Sequence, residues 1–387
     1  MRTKPPRTPR ILKSAFRESA RVPSRQLVPD RPLVHGQSTT PEPPIATRAI
    51  SIVIPTYNGA SRIANCLTAL LPQAEAHGAE ILVVDDGSTD DTARVVSQYP
   101  SVRLIQQSNA GPAAARNHGA TEATGNIILF TDDDCVPAPD WLAKMLAPFE
   151  DADVVGAKGV YRTLQKSIVA RFVQIEYEDR YRLMSVHKDI DFVDTYSAAF
   201  RRERFLEIGG YDTSFPVACA EDIELSYRMS ARGWKMKFVP DAVVYHTHPD
   251  SLPKYLKKKY KFAFWRVLAV RKNTGKALKD SHTPQLMKLQ LLFLPALVAA
   301  IVADLALHSF VSVTGLVLAA FLLSTLPFAL RAVDKDPLVA FLSPLLLAGR
   351  ACAQFLGIVR GAIYTWLKSG AVSDTSDEVQ LVNLRRN

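Results

Sequence analysis

Residues 126–135 read NIILFTDDDC, a short apolar run followed by three consecutive aspartates. The apolar half has the length and composition of a buried strand. Carboxylates at the end of such a strand are costly unless positive charge lies against them. Mg²⁺ is typically bound by one or two carboxylates together with substrate phosphates, and ligands of α/β sheets bind outside the carboxyl ends of the strands. The stretch therefore predicts a site for a metal ion and a diphosphate, with a solvated acidic turn or a helix cap as the alternatives.

Two other apolar runs also end in polar residues. Residues 51–58 read SIVIPTYN, where the proline is expected to end a strand, and residues 79–90 read AEILVVDDGSTD. Residues 109–120, NAGPAAARNHGA, predict a turn and an alanine-rich helix that carries one arginine. Three strands separated by helical segments predict an α/β fold with a mostly parallel central sheet.

These motifs, in this order and at this spacing, resemble those of the family 2 glycosyltransferases, which are inverting enzymes with the GT-A fold. Two later motifs support the resemblance, GGYD at residues 209–212 and EDIEL at residues 221–225. The resemblance extends from about residue 50 to about residue 249. It implies a Rossmann-like nucleotide-diphospho-sugar transferase domain that uses a nucleotide sugar as donor and a divalent metal ion, Mn²⁺ or Mg²⁺.

The resemblance also implies roles for the acidic residues. Asp134 and Asp132 are the outer members of a D-x-D motif, and alternate residues of an extended chain face the same way, so both are expected to hold the metal ion. Asp133 is expected to face the ribose or the donor sugar. Asp222 is expected to be the general base, with Glu221 as the alternative residue. Acids that only cap the N-terminus of a helix would also explain this pair.

Four residues are expected to contact the nucleotide: Pro55, Tyr57, Asp86 and Arg116. Asp86 would accept a hydrogen bond from a pyrimidine imide, Tyr57 would stack on the base, and Arg116 would meet a phosphate or the acidic cluster. A turn former, a core aromatic and a surface charge are the alternative explanations. His246 is expected to complete the metal shell, with a purely structural histidine as the alternative.

Fewer residues specify the acceptor. A flexible loop near it is expected at Gly209, Gly210, Tyr211 and Asp212. No Q-x-x-R-W follows the Glu-Asp pair, and in this family that signature accompanies processive synthases, so its absence favours transfer of one sugar. A polyprenyl phosphate acceptor would already be ionised, and Asp222 would then only position it.

Length and composition predict how the chain is divided. Its 387 residues, with a formal net charge of +9, are enough for one large domain with appendages. The segments expected are a disordered basic, proline-rich arm (1–47), the GT-A domain (48–250), a basic aromatic segment (251–285), a membrane region of two or three helices (286–367) and a polar tail (368–387).

No signal peptide is expected, because no apolar run follows the basic start. Four scattered cysteines without a CxxC motif favour a reducing compartment.

The C-terminal part predicts contact with a membrane. Residues 254–279 include ten Lys or Arg residues, no acids and several aromatic residues, a mixture typical of a helix at a membrane surface. Single-stranded nucleic acid is the alternative ligand, but the apolar stretches that follow favour the membrane, so no nucleic-acid partner is expected. The last apolar stretch, residues 338–366, contains Arg350, which is costly in lipid unless it is paired. That stretch is expected to span the membrane or to form a re-entrant or interfacial helix, and a soluble helical domain is the alternative for the whole region.

Together these features predict a multi-pass enzyme of the inner (plasma) membrane, with its catalytic domain on the cytoplasmic side, where sugar nucleotides are made. It is expected to move one sugar from a nucleotide sugar, with UDP as the default nucleotide, to a lipid-linked or membrane-associated glycan by single displacement. The alternatives are a polysaccharide synthase subunit that needs a partner protein and a non-catalytic membrane scaffold. The intact acidic motifs argue against the scaffold.

Overall fold

The structure is a computed structural model that describes residues 49–215, 220–272, 280–307 and 312–370. The expectations for the arm at residues 1–47, for Cys219 and for the tail beyond residue 370 lie outside the described residues. The three described cysteines are free thiols.

One eight-stranded sheet and a series of α-helices make up the described residues. The strands are β1 (Ile50–Thr56), β2 (Ala79–Asp85), β3 (Val102–Gln106), β4 (Ile127–Phe130), β5 (Val136–Pro137), β6 (Val154–Arg162), β7 (Ala198–Arg201) and β8 (Lys235–Tyr245). The helices are α1 (Ile63–His77), α2 (Thr92–Val96), α3 (Pro112–Glu122), α4 (Trp141–Leu146), α5 (Ile168–Ser185), α6 (Arg202–Glu207), α7 (Glu221–Ala231), α8 (Leu252–Lys272), α9 (Gln285–Gln290), α10 (Phe293–Leu307), α11 (Val313–Val333) and α12 (Pro337–Gly370).

The parallel half of the sheet brings the carboxyl ends of three strands to one edge. The strand order is β3-β2-β1-β4-β7-β6-β8-β5, and β1 pairs in parallel with both β2 and β4. Val53 belongs to one hydrophobic cluster, and Ile52 and Ile54 belong to another, so alternate residues of β1 face opposite layers. The turns after β1, β2 and β4 therefore converge, and the predicted α/β class with a mostly parallel sheet is confirmed.

Strand β1 continues through Pro55 to Thr56, so the prediction that the proline ends this strand is wrong. β4 pairs with β1 only as far as Val53, and Pro55 has a strand partner only on the β2 side, opposite Val84. A proline is tolerated where one side of a strand carries no ladder of hydrogen bonds.

The second half of the sheet carries the chain back toward the acidic residues. β7 runs antiparallel to β4 and β6, and β8 pairs in parallel with β6. The two-residue strand β5 directly follows the acidic stretch and pairs with the end of β8, with Val136 opposite Tyr245. This pairing brings His246, the residue after β8, next to the three aspartates.

Long apolar helices follow the sheet. Two of the described helices are long and apolar enough to cross a membrane, at Val313–Val333 and Pro337–Leu367, and the apolar α10 is shorter, with 15 residues. The 21 residues of α11 extend about 31 Å at about 1.5 Å per residue, which matches the hydrocarbon thickness of a bilayer. Large apolar side chains are exposed along these helices, among them Val298, Leu305, Leu316, Leu323, Leu330, Phe341, Leu345, Ile363 and Trp366.

Helices α8 and α12 cross at close range. A Cβ atom added at Gly357 would lie 2.4 Å from the carbonyl oxygen of Tyr260, and one added at Gly361 would lie 2.6 Å from that of Phe264. Two residues four positions apart lie on the same face of a helix, and small residues at that spacing let helix backbones approach closely in membranes. The two glycines therefore fix the distance between α8 and α12.

Gly357→Leu should destabilise the full-length chain by about 1–3 kcal/mol, because a larger side chain at a tight contact forces strained rotamers or a backbone shift. The thermal midpoint in detergent measures the effect. Gly315→Leu in α11 is a matched control, because the nearest atom to an added Cβ there, in Ser312, is 3.6 Å away. Equal midpoints for the two variants would argue against a close α8–α12 crossing.

Arg350, near the middle of α12, is buried and paired. Its Nη1 donates to Oε1 of Glu176 at 2.7 Å, and its Nη2 donates to Oε1 of Gln290 at 2.6 Å. Glu176, on α5, also pairs with Lys259 of α8 at 3.0 Å. Burial alone raises the pKa of Glu176, but Lys259 and Arg350 outweigh it and hold the pKa at about 2. The network joins the sheet domain to α8, α9 and α12, and it supplies the partner that an arginine in an apolar helix requires.

Arg350→Met should lower the free energy of unfolding by about 3 kcal/mol, because it removes one of the cations that compensate the buried Glu176 carboxylate. Denaturant unfolding of the full-length chain in detergent measures the loss. Arg360→Met is the control in the same helix, because Arg360 is exposed and, among the described residues, donates only to the Tyr260 hydroxyl. The double variant Glu176→Gln/Arg350→Met should regain part of the loss. Equal losses for the two single arginine variants would refute the proposed importance of the network.

Candidate active site

The three aspartates lie on a tight turn and not on an extended chain. The backbone N–H of Cys135 donates to the carbonyl oxygen of Asp132 at 3.1 Å, so the chain reverses within the acidic stretch. The alternation that was expected to point Asp132 and Asp134 toward one ion is therefore absent. The side chains of Asp132, Asp133 and Asp134 instead contact three different partners.

Asp133 faces the turn after β1. Its carboxylate accepts a hydrogen bond from Oγ1 of Thr56 at 2.6 Å and pairs with Nη2 of Arg62 at 2.9 Å. A Cβ atom at Gly59 would lie 2.2 Å from Oδ2 of Asp133, so this approach needs a glycine. Burial raises the pKa of Asp133. The Asp133 carboxylate thus holds two groups of the protein, and its expected contact with the ribose or the donor sugar stays a prediction.

Asp134 forms a cluster with two residues that the sheet brings to it. Oδ1 of Asp134 lies 3.3 Å from Nδ1 of His246, and the Cys135 sulfur lies 3.8 Å from that oxygen and 4.0 Å from that nitrogen. The His246 ring stacks on Tyr161 with centroids 4.5 Å apart. Burial raises the pKa of Asp134, but the hydrogen bond and charge of His246 outweigh it, so the pKa is lowered.

The donor set of this cluster suits a divalent metal ion. One possible ligand atom from each of Asp134, Cys135 and His246 lies within 4.8 Å of the others. Carboxylate oxygen and imidazole nitrogen are both ordinary ligands of Mn²⁺-like ions. Burial raises the pKa of the Cys135 thiol well above its usual range, so Asp134 and His246 are the better ligand candidates. The sequence-based pairing of Asp134 with His246 thus has a geometric basis.

Arg116 connects the acidic turn to the start of α7. Its guanidinium is almost fully buried and lies 2.7 Å from Oδ1 of Asp132 and 3.2 Å from Oε1 of Glu221. Burial lowers the pKa of Arg116, but the two carboxylates outweigh it and raise the pKa further. Of the two partners expected for Arg116, the structure places the acidic cluster beside it.

Asp222 lies in the first turn of α7 and lines the central cavity. Its Oδ1 accepts a hydrogen bond from the backbone N–H of Ile223 at 2.8 Å. Burial and the neighbouring carboxylates Glu221 and Asp194 raise the pKa of Asp222 well above its usual range, which makes it a stronger base. Ala220, the residue before α7, has φ +83°, a strained conformation of the kind that is concentrated at functional sites.

The residues expected to bind the nucleotide occupy the same edge of the sheet. The Asp86 carboxylate accepts hydrogen bonds from the backbone N–H groups of Ala110 and Gly111, each at 2.8 Å. It therefore holds the turn before α3, and part of its capacity for a base is already used. Tyr57 is 49% exposed, which leaves its ring accessible for stacking, whereas Pro55 is buried within β1.

The segment expected to be a flexible loop near the acceptor is held in place by hydrogen bonds and by packing. The Asn117 side chain donates to the carbonyl oxygen of Tyr211 at 2.7 Å and accepts from its N–H at 2.8 Å. The Tyr211 ring is buried against Phe130 and Phe205. Gly209 and Gly210 have φ of +88° and +63°, and none of the residues 209–212 lines the central cavity. The segment supports Arg116, whose guanidinium carbon lies 5.8 Å from the Tyr211 ring centre.

Sequence reasoning missed a buried lysine beside the site. Lys158, on β6, is 1% exposed, pairs with Asp194 and donates to the Tyr196 hydroxyl at 2.7 Å. Asp194 lines the central cavity near Asp222. A lone lysine within the apolar stretch VVGAKGVY, residues 154–161, was the available signal, because a fully buried lysine needs a partner.

A cavity of about 840 Å³, called here the central cavity, joins the acidic site to the C-terminal helices. Its lining includes Asp134, Asp222 and His246. It also includes apolar side chains of α8 and α12, such as Val267 and Trp366. The same space therefore contacts ionisable groups of the sheet domain and apolar side chains of the long helices.

Comparison with known proteins gives a family for the first part of the chain. Residues 51–209 match the family described as Glycosyl transferase family 2. This range contains β1, β2, β4 and the three aspartates.

Among curated proteins, the chain is 28% identical over 243 residues to a protein of Mycobacterium tuberculosis named pre-mycofactocin glycosyltransferase, covering 59% of this chain and 49% of that protein. It is 26% identical over 208 residues to glycosyltransferase AglE of Haloferax volcanii, covering 51% of this chain and 66% of that protein. The chain thus spans about half the length of the mycobacterial relative.

Among solved structures, the chain is similar to a mannosyltransferase from Pyrobaculum calidifontis in complex with GDP-Man and Mn²⁺. The TM-score is 0.57 at 22% identity, and the match covers 83% of this chain and 89% of that one. At this identity the likeness supports a shared fold. It includes a large part of the region beyond residue 209.

Proposed function

We propose that this chain, whose residues 51–209 match the family described as Glycosyl transferase family 2, transfers one glycosyl group from a nucleotide sugar to a lipid-linked or other membrane-associated acceptor. One observation carries the proposal: the central cavity joins the acidic site to apolar surfaces of the long helices. A lipid-linked acceptor needs apolar surface for its hydrocarbon chain close to the reacting groups, and the lining of this cavity supplies both.

The donor side is assigned to the acidic edge of the sheet. Asp134 and His246 would hold a divalent metal ion, with Mn²⁺ and Mg²⁺ as the candidates. Such an ion supplies charge neutralisation for a departing diphosphate. The Arg116 guanidinium pairs with the Asp132 carboxylate and holds it in place. The exposed ring of Tyr57 is available to stack on the base of the nucleotide.

The acceptor side is assigned to Asp222. Its carboxylate would accept the proton of an acceptor hydroxyl as that oxygen attacks the anomeric carbon. The bond from the anomeric carbon to the diphosphate breaks in the same step, and the nucleoside diphosphate leaves from the opposite face, so the anomeric configuration is inverted. The raised pKa of Asp222 supports this role, and Glu221 would stay paired with Arg116.

We also propose that the C-terminal helices anchor the enzyme in the inner (plasma) membrane, with the sheet domain in the cytoplasm. The exposed apolar side chains of α10, α11 and α12 support this placement, because a soluble protein rarely exposes so large an apolar surface. The sheet domain would correspond to residues 48–250, the interfacial segment to residues 251–285 and the membrane region to residues 286–367.

The test is release of the nucleoside diphosphate from a panel of UDP- and GDP-linked sugars. The full-length chain is purified in detergent and supplied with a native membrane lipid extract, with and without Mn²⁺. We expect one donor to be consumed, only with metal and only when the extract is present, with label from the sugar recovered in the lipid fraction. Consumption that is equal without the extract would contradict a membrane-associated acceptor, and the absence of nucleotide binding would contradict the transferase function itself.

A further inference from the structure

Arg180 lines the central cavity and forms no ion pair with a described residue. It lies on α5, and its guanidinium carbon is 5.6 Å from the ring centre of Tyr177. Among the described residues, no carboxylate lies within ion-pair distance of Arg180. By contrast, the nearby Lys158 and Lys259 are each paired with a carboxylate. Burial lowers the pKa of Arg180, but Tyr177 and the carboxylates of Glu176 and Asp194 outweigh it and raise the pKa. Because no described carboxylate forms an ion pair with this guanidinium, it is available to a phosphate from a ligand.

His282 lines the same cavity, and its ring makes no hydrogen bond to the described residues. It is 2% exposed and stacks on Phe192 with ring centroids 4.1 Å apart. Within the described part of the chain, neither ring nitrogen has a hydrogen-bond partner, and Nδ1 lies 3.5 Å from the Asp280 carboxylate. Burial lowers the pKa of His282 to about 3, so the ring is neutral and has one N–H to donate. Buried polar groups left without a partner often indicate a missing ligand.

The part of the cavity wall formed by α8 and α12 carries apolar side chains. These are Val267 and Val270 of α8 and Ile358, Ala362 and Trp366 of α12, and they lie beside polar lining residues such as Arg266, Arg271 and Gln354. These helices belong to the region whose outer surface exposes apolar side chains. An anion that carries an apolar group could bury that group against these apolar side chains.

We propose that Arg180 and His282 form a subsite for the phosphate of a lipid carrier, whose hydrocarbon chain lies between α8 and α12. The subsite is separate from the cluster of Asp134, Cys135 and His246, which receives no residue from α5 or from the segment before α9. The inference rests on the proposed function, because the anchored phosphate would place the sugar of the carrier toward Asp222. A soluble phosphate would use the two polar groups but would leave the apolar wall uncovered.

The test is equilibrium binding of labelled hexadecyl phosphate to the full-length chain in neutral detergent, with three competitors. We expect saturable binding that unlabelled hexadecyl phosphate displaces and that inorganic phosphate and hexadecanol do not displace. Displacement by inorganic phosphate at equal concentration would assign the subsite to free phosphate and overturn the proposal. Equal displacement by hexadecanol would show that only the apolar wall binds, and would overturn it as well.

Substitutions at the two residues test where the phosphate group binds. Arg180→Gln should weaken binding of hexadecyl phosphate at least about tenfold, because it removes a charge-assisted hydrogen bond, and His282→Gln should weaken it about threefold. Arg182→Gln is the matched control, because Arg182 lies on the same helix and is exposed. Equal binding by the variants at Arg180 and Arg182 would overturn the proposal.

A second ligand separates this proposal from the transferase function. UDP and GDP binding with Mn²⁺ should be unchanged in Arg180→Gln, which also shows that the variant is folded. If that variant loses the nucleotide too, Arg180→Lys decides: recovered binding of hexadecyl phosphate supports the subsite, and no recovery overturns it. A wild-type chain that binds hexadecyl phosphate in the expected pattern but no nucleotide would refute the transferase function and leave the lipid subsite standing.

Discussion

Asp222→Asn should reduce kcat by about 10²–10⁴-fold with little change in KM for the donor, because asparagine cannot accept the proton of the acceptor hydroxyl. The amide keeps the size of the side chain and its hydrogen bond from the N–H of Ile223. Nucleoside diphosphate release at saturating donor and Mn²⁺ measures the effect. Glu203→Gln, an exposed acid on α6, is the control for loss of one negative charge.

The pH profile supplies an independent check on Asp222. Burial and the carboxylates of Glu221 and Asp194 raise its pKa, and a general base must be deprotonated. Activity should therefore fall as the pH drops through a pKa above the usual range of aspartate, and that acidic limb should disappear in the residual activity of Asp222→Asn. A variant that retains wild-type turnover would show that the acceptor oxygen is already ionised and that Asp222 only positions it.

Asp134→Ala should lower turnover at least about a hundredfold, because the charge on the departing diphosphate would lose the ion that neutralises it. The Mn²⁺ concentration for half-maximal activity should rise as well, and a metal titration of turnover measures both quantities. His246→Ala should raise the metal requirement with a smaller loss of turnover, since the carboxylate remains. Asp153→Ala is the control, because Asp153 is exposed and its one ion pair within the described part of the chain is with Lys235 on the surface.

The same titration can refute the assignment of the metal ligands. If Asp134→Ala needs no more Mn²⁺ than the wild-type chain, the cluster with His246 does not hold the ion. Asp132 would then be the remaining candidate, but the Arg116 guanidinium at 2.7 Å competes with a cation for its carboxylate.

Much of the fold follows from local patterns in the sequence. Apolar runs that end in polar residues predicted β1, β2 and β4, because a strand buried on both faces needs continuous apolar side chains. The parallel pairing of these strands then brings the ends of all three to one edge. The acidic stretch therefore lies where ligands of α/β sheets bind. The apolar segments near the C-terminus likewise predicted long apolar helices.

The sequence by itself predicted which residues belong to the candidate site: the aspartates, Arg116 and the acids that begin α7. Only the tertiary structure decided how they are paired. Arg116 meets Glu221 across 105 residues, and Arg350 meets Glu176 across 174. The turn places each aspartate beside a different partner, and the pairing of β5 with β8 places His246 beside Asp134. Local sequence patterns predict whether a side chain is buried. A buried charge, however, is stabilised by one particular partner, and which partner it meets depends on which distant segments pack together.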